Sequence, residues 1–297
     1  MPALDQIDYA GRELLYNAFM RPALESAIAT FAPPPGSRGL DVGCGPGGLF
    51  PLFDAAMQGR GSLTGLDIST GHLAAAHDVI REHGLEARCR VLQVDLREPL
   101  PFPDASFDWV WSADTLNSVE SPEGFADPVP VVREMMRVVR PGGKFAIFFG
   151  NRLNAMYLPD YAHIEQCLAT AFKVWHLKRS RVHPSYRHEN ALAWFQAAGV
   201  HEPVVTPHTV LYQAPLPPDV ARYIQRYIFE TEYKNPPDIK DYAQGAGMTE
   251  DDWETWMALS SPASPDYLLR RDDYFCIRYG LLTVGRVPDP AHEQPRT

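Results

Sequence analysis

The chain has 297 residues, with 27 Lys and Arg against 37 Asp and Glu, for a formal charge of −10. That balance argues against a nucleic-acid partner, because neutralising phosphates takes a basic surface, and the only dense basic block, Lys178-Arg179-Ser180-Arg181, reads as a solvated turn. Cys44, Cys89, Cys167 and Cys276 are too scattered for a zinc knuckle or a disulfide framework. A reducing, cytoplasmic compartment is expected, with no leader at the N-terminus and no apolar run long enough to span a membrane.

Residues 1–32 place Ile7, Leu14, Leu15, Phe19 and Leu24 on an irregular stripe, which predicts one or two helices. Pro33-Pro34-Pro35-Gly36 then marks the entry to a new unit. From Arg38 the sequence reads RGLDVGCGPGGLF, a short apolar strand over 39–42 that stops at Gly43. Gly43, Gly45, Gly47 and Gly48 follow within six residues, and a helix is predicted near 47–57. Glycine belongs where the backbone takes positive φ or lies against a ligand. A strand, a glycine turn and a helix start predict a cradle of backbone N–H groups at the carboxyl edge of a parallel sheet. Asp41 stands two residues before the first glycine, where its carboxylate can face a ligand. Asp67 ends a second strand, 62–66, and suits hydrogen bonds to ribose hydroxyls. Either acid alone is also an ordinary strand-end or cap residue; the pair is the stronger signal.

The alternation continues with a helix near 71–83, strands at 89–94 and 107–112, and a helix near 129–139. Pro141-Gly142-Gly143 turns into a strand at 144–149. Strand-then-helix repetition predicts an α/β fold, with a mostly parallel sheet covered on both faces.

Read in order, LDVGCGPGG, LTGLDIS, VLQVDLREPLPFPDASFDWVWS and MMRVVRPGGKFAIF resemble the class I S-adenosylmethionine-dependent methyltransferases over Leu40 to Phe149. The resemblance implies a Rossmann-like, doubly wound sheet of seven strands, an antiparallel C-terminal hairpin and S-adenosylmethionine as cofactor. It implies cofactor contacts from Asp41, Gly43, Cys44, Gly45 and Gly47, and from Asp67 and Ile68. Asp95 would receive the adenine amino group, with the Leu96 N–H facing the ring. Ser112 and Ala113 would lie beneath the methionine part, Tyr16 on the N-terminal helix would cover the sulfonium, and Asn117 would face the acceptor. A nicotinamide oxidoreductase would share the glycine loop and Asp67, but not Asp95 with the FDWVW strand and the RPGGKF turn. Asn235-Pro236-Pro237-Asp238 lacks the aromatic fourth residue of DNA adenine methyltransferases and lies outside the expected position. A non-catalytic cofactor-binding protein is the alternative that motifs alone leave open.

Beyond Phe149 the pattern changes. Asn151 to Phe172 predicts a helix carrying Tyr157 and Tyr161, interrupted by Pro159. Glu189 to Ala198 predicts a second, stopped by Gly199. Val204–Gln213 and Phe275–Arg286 are read as the hairpin strands, with helices near 217–233 and 249–259 in the long excursion between them. The expected layout is 1–150 for the N-terminal helices and cofactor core, 151–184 for a cap insertion, and 185–213 for a core helix and strand. Residues 214–273 would form a helical cap over the carboxyl edge, and 274–297 the last strand and a tail. Tyr157, Tyr223 and Tyr227, with Glu230 continuing their face and Arg270 placed to meet a carboxylate, suggest a small, partly aromatic or apolar acceptor. His163, His183, His188 and His208 are all possible bases, and the sequence does not choose among them. It implies no metal and does not specify an oligomeric state.

Overall fold

The computed structural model describes residues 9–116, 120–121, 124–125, 127–179 and 187–289. Asn117 and His183 lie outside these residues, as do Ser180 and Arg181 of the basic block.

The apolar segments fold as β1 (Arg38–Val42), β2 (Ser62–Asp67), β3 (Cys89–Gln93) and β4 (Phe107–Ala113). A short antiparallel pair, β5 (Glu120–Ser121) and β6 (Gly124–Phe125), precedes β7 (Val139–Met156), β8 (His201–Gln213) and β9 (Phe275–Arg286). Seven strands form one sheet in the order β3-β2-β1-β4-β7-β9-β8. The first five in that order are parallel, and β9 runs antiparallel to both neighbours. The strand order reverses between β1 and β4, so the crevice for a ligand opens beyond their carboxyl ends.

Period-two alternation buries both faces. Leu40, Val42, Val110, Phe145 and Ile147 pack under α4 (Pro128–Arg137) and α6 (Ala191–Ala198). Trp109, Trp111, Ala146 and Phe148 face the other layer, built from α1 (Tyr9–Phe31), α2 (Phe50–Ala56) and α3 (Thr70–Glu82). The N-terminal stripe is a single helix. Phe19, Met20, Ala23, Leu24, Ala27, Ile28 and Phe31 are buried along it at helical spacing, and Lys144 Nζ donates to the Phe31 and Ala32 carbonyls at its end.

Three expectations are corrected. The helix after the glycine loop begins at Phe50, not near 47, because Gly47 to Leu49 form turns before Pro51 can occupy a first-turn position. The helix expected from Asn151 does not form there. β7 runs on to Met156, pairing Ala155 and Met156 with Arg278 and Ile277, and α5 (Ala162–Arg179) starts only after Pro159. Pro159 cannot be carried inside a helix, whereas β9 offers ladder partners to the residues before it. Lys178 and Arg179 consequently sit on the last turn of α5, not in a turn.

The excursion holds α7 (Pro218–Tyr223), a π-helix over Ile224–Glu232, α8 (Ile239–Gly245) and α9 (Glu250–Leu259). Thr249 and Asp252 cap α9 reciprocally. The π-helix overturns one facing assignment. Its i→i+5 spacing turns Glu232 inward with Tyr227 and leaves Glu230 exposed, where a 3.6 period would continue the face to Glu230. Tyr223 stacks on Phe19 with centroids 4.8 Å apart, which joins this segment to α1. No helix among the described residues is long and apolar enough to cross a membrane.

Candidate cofactor and acceptor site

The end of β1 and the loop after it form the floor of the crevice. Gly43, Gly45 and Gly47 all take positive φ. The backbone N–H groups here are spent inside the protein. Those of Gly43 and Cys44 both donate to Leu66 O at 2.8 Å, that of Gly47 to Cys44 O at 3.1 Å, and that of Gly45 to Asp67 Oδ2 at 2.9 Å. The expected cradle of outward N–H donors is therefore absent among these residues, and α2 has only seven residues. The loop offers space instead. A Cβ built on Gly45 would meet no protein atom within 4 Å.

Two carboxylates stand beside this loop, Asp41 near the end of β1 and Asp67 at the end of β2. Asp41 is buried, and its Oδ2 has no hydrogen-bond partner among the described residues. Burial, with the Asp67 charge nearby, pushes its carboxyl up to about 8. Asp67 is the opposite case. Burial works against its charge, but His72, the Ser69 N–H (2.8 Å to Oδ1) and the Gly45 N–H outweigh it and hold the carboxyl below its usual range. His72 Nδ1 lies 3.4 Å from Asp67 Oδ1, an ionic contact, and the carboxylate raises the imidazole in return. A helix cap explains this meeting: Ser69 accepts from His72 N, which places the ring over the strand end.

The remaining expected cofactor residues fall into three groups. Ile68, beside Asp67, is 56% exposed and presents an apolar face at the rim. Asp95 is also at the rim, but both its oxygens are engaged by Arg97, whose Nε lies 3.0 Å from each. Its carboxylate is thus shared with the Arg97 guanidinium two residues on. Leu96 is half-buried against Val94 and its neighbours. Cys44 and Ser112 are scaffolding. The Cys44 thiol is buried and its N–H is taken, and Ser112 Oγ donates to Val42 O at 2.8 Å, tying β4 to β1. Ala113, half-buried, ends β4 beside them.

The next residue, Asp114, takes φ of 50° although it is not glycine. Its carboxylate accepts from Gly150 N at 3.0 Å and from Tyr16 Oη at 2.6 Å. Tyr16 thus crosses the carboxyl edge on α1, and it can do so only because residue 150 is glycine: a Cβ there would lie 1.8 Å from Tyr16 Oη. Burial, then the Asp114 charge, push the Tyr16 hydroxyl well up, so it stays a neutral donor. The next residue, Asn17, lies against Gly48.

Arg278 on β9 is buried at this edge. Its Nη2 donates to Gly150 O at 2.8 Å, and Nη1 reaches the hydroxyls of Tyr157 (3.4 Å) and Tyr223 (3.3 Å). The guanidinium lies 5.4 Å from the Tyr16 ring centroid, and Tyr227 packs on Tyr223 at 5.7 Å. Tyr157, Tyr223 and Tyr227 come together with Tyr16 in one buried cluster. Arg270 does not join them. It is exposed on the outside of the excursion, with its guanidinium bonded to Ser264 O and Pro262 O. The inward cation is Arg278, which in sequence looks like any alternating strand residue. Asp114, His72 and Asn17 were likewise missed, because each matters only through a partner far away in the chain.

Of the possible bases, His163 is exposed, 3.7 Å from Asp252. His208 is a structural link between Ser26 Oγ (2.9 Å) and Thr206 Oγ1 (3.0 Å). His188 is buried behind Phe149. No cluster of three or more metal-ligating side chains occurs among the described residues.

Comparison with known proteins bears on this geometry. Residues 40–147 match the methyltransferase domain family. A phosphatidylethanolamine N-methyltransferase of Cereibacter sphaeroides is 33% identical over 184 residues, 62% of this chain and 75% of that one. The chain belongs to the class I S-adenosylmethionine-dependent methyltransferases. Methyltransferase GfsG of Streptomyces halstedii is 38% identical over 112 residues, 38% of this chain, and the chain spans only 37% of that protein's length. A chain of the complex between the Haloferax volcanii Trm112 methyltransferase activator and a methyltransferase shares the fold, with a TM-score of 0.52, 20% identity and 93% of each chain covered.

The methyltransferase cofactor is a cation at its sulfonium and its ammonium, and the residues fit it. A buried carboxyl oxygen without a partner among the described residues, an ionised carboxylate near it, and open space above Gly45 suit positive charge. A dinucleotide pyrophosphate would meet two acids and a loop whose N–H groups are already bonded.

Proposed function

We propose that this methyltransferase binds S-adenosylmethionine over Gly45, between Asp41 and Asp67, and transfers its methyl group to a small organic acceptor. The observation that carries the cofactor half is the buried Oδ2 of Asp41, without a partner among the described residues, next to an ionised Asp67. When bound, the cofactor supplies a methyl group on positively charged sulfur, which an acceptor displaces in line. The chain's own residues position and exclude water. Asp67 has lone pairs left for ribose hydroxyls, Ile68 gives the adenine an apolar face, and Asp95 keeps its edge in reach. Tyr16, held by Asp114, keeps α1 across the sulfonium end.

The acceptor half rests on the tyrosines. Tyr16, Tyr157, Tyr223 and Tyr227 with Arg278 make a closed, mostly aromatic wall at the carboxyl edge, which suits a small acceptor with an apolar or planar part. We read α5 and residues 214–273 as the cap that carries much of this wall. The acidic charge argues against a nucleic-acid acceptor. Four free, buried cysteines support a reducing, cytoplasmic compartment.

Calorimetry with S-adenosylmethionine, S-adenosylhomocysteine and NAD tests the first half. Binding of both sulfur ligands and not of NAD is expected; the reverse order refutes the assignment. Incubation with methyl-labelled cofactor and a small-metabolite extract tests the second. Label in a small product is expected, whereas cofactor binding without any transfer would favour a non-catalytic binding protein.

A further inference from the structure

We propose that the chain carries a second small-molecule site, for a phosphate monoester with a planar or apolar body, at the amino-terminal edge of the sheet beneath the β3–β4 crossover. The site uses none of the residues placed at the cofactor crevice. A cleft of about 510 Å³ opens there, between the first residues of β1, β2 and β3 and the segment that leads into β4. Ligand pockets span roughly 300–1,000 Å³, so the space suits a small molecule. Three residues of β1, about 10 Å at the rise of a strand, separate Arg38 in its lining from Asp41 at the crevice. Both ligands can therefore be held at once.

The cleft follows from a missing element. Crossovers between parallel strands usually carry a helix, but residues 94–106 join β3 to β4 with turns alone. The strands beneath are patterned to match. Leu66 and Leu92 pair in register on β2 and β3 and pack into the core on this face. Two residues earlier on the same face, the pair is Thr64 and Arg90, and Ser62 pairs with Arg38 one row further out. An apolar floor gives way to a polar one within one step of strand. The wall above it is fixed. Arg137 of α4 donates to Phe102 O at 2.9 Å and to Leu100 O at 3.1 Å, and Glu134 accepts from Leu100 N at 2.8 Å. Phe102 meets Phe107 edge-on with centroids 4.9 Å apart, and with Pro103 they give the cleft an apolar side.

The rest of the lining supplies donors. The Arg38 guanidinium and Ser62 Oγ have no hydrogen-bond partner among the described residues. Arg90 makes one bond, from Nε to Thr64 Oγ1 at 3.1 Å, and pairs with no carboxylate among them. Arg88 is different, because Asp54 of α2 neutralises it at 2.6 Å. Glu86, on the turn before β3, is the carboxylate of the lining. Three arginines against one glutamate make this cleft basic in a protein of net charge −10. Exposed arginines are ordinarily just solvated; here two without a counter-ion share one concavity with a fixed apolar wall. Guanidinium forks match the oxygens of a phosphate. Two unneutralised cations match a dianion better than a carboxylate with its single charge, Ser62 adds a hydroxyl donor, and the aromatic side takes the ligand's body.

Phenyl phosphate is the probe, titrated by calorimetry into the full chain with and without saturating S-adenosylhomocysteine. Binding is expected in both, with affinities within about twofold of each other, and benzoate is expected to bind several-fold more weakly. Arg38→Gln and Arg90→Gln should each weaken phenyl phosphate by about 10-fold or more, the scale of a charged hydrogen bond. Arg222→Gln, at an exposed arginine of α7 far from the cleft in sequence, should change it by less than about twofold. No binding, equal losses in all three variants, or displacement by S-adenosylhomocysteine overturns the proposal. Should the arginine variants fail to fold, amide chemical shifts of the wild type decide. Phenyl phosphate is expected to move residues 62–64, 88–90 and 102–107, and shifts confined to 43–47 and 67–69 would refute the site.

Discussion

Replacing Asp41 by Asn examines the electrostatics of the site directly. Its carboxyl is pushed up to about 8 by burial and by Asp67, so in the ligand-free protein it is mostly protonated at pH 7. A cationic ligand needs the carboxylate, and deprotonating it costs about 1.4 kcal/mol at pH 7 and about 2.7 kcal/mol at pH 6, at 1.36 kcal/mol per unit. Wild-type affinity for S-adenosylhomocysteine should therefore rise roughly tenfold per pH unit from 6 to 7 and flatten near 8. Titrations in buffers of different ionisation heat should show proton release on binding. The Asn variant should lose that slope and bind more weakly than wild type at pH 8, by about 1.5–3 kcal/mol for the missing charged hydrogen bond. Using one ligand for both proteins cancels the ligand's own titration. The stability sign follows from the same shift. The folded carboxyl is raised above its unfolded value of 3.8, so its stability contribution is complete below pH 3.8 and is lost as pH rises toward 8. Ligand-free Asp41→Asn should melt above wild type at pH 8, with the gap closing toward pH 4. A wild-type affinity that is flat from pH 6 to 8, with no proton release, would refute the reasoning.

Asp67→Ala should weaken S-adenosylhomocysteine by about 1–3 kcal/mol, through lost bonds to ribose and a loosened Gly45; an unchanged dissociation constant in a folded variant would make Asp67 merely structural. Asp95→Ala should cost less, since Arg97 already occupies both carboxylate oxygens; equal losses at the two positions would contradict this ranking. Gly45→Val should abolish cofactor binding by calorimetry, because its side chain enters the space left open over Gly45, and should also lower the melting temperature, because Gly45 takes φ of 53° and a β-branched residue is strained there; unchanged cofactor affinity in a folded variant would contradict the placement. Gly150→Ala should displace Tyr16 and lower the melting temperature, with Tyr16→Phe in the same chain recovering part of the loss by removing the atom 1.8 Å from the new Cβ. No recovery would mean α1 does not bear on this position.

What the sequence made legible is local. Strand and helix periods, the glycine turn after Val42 and the acids at the two strand ends are written in residues a few positions apart, and most of the sheet follows from them. Tyr223 and Tyr227 could be placed on one helical face from their spacing, whereas Tyr157 lies just beyond β7 and not on the helix expected there. Where the expectations failed, a distant partner had intervened. Residues 155–156 extend β7 because β9 lies alongside, and the π-helix turns Glu232 inward instead of Glu230. The glycine-loop N–H groups turn away from the ligand because Leu66 O and Asp67 lie next to them. Arg270 gives way to Arg278 because strand pairing, not proximity in the chain, brings a cation to Gly150 O. Fold class and family are thus carried by short-range pattern. The raised Asp41 carboxyl, the clamp of Tyr16 on Asp114 and the burial of Arg278 belong to tertiary structure, because burial and charge at a point in space sum over every element that reaches it.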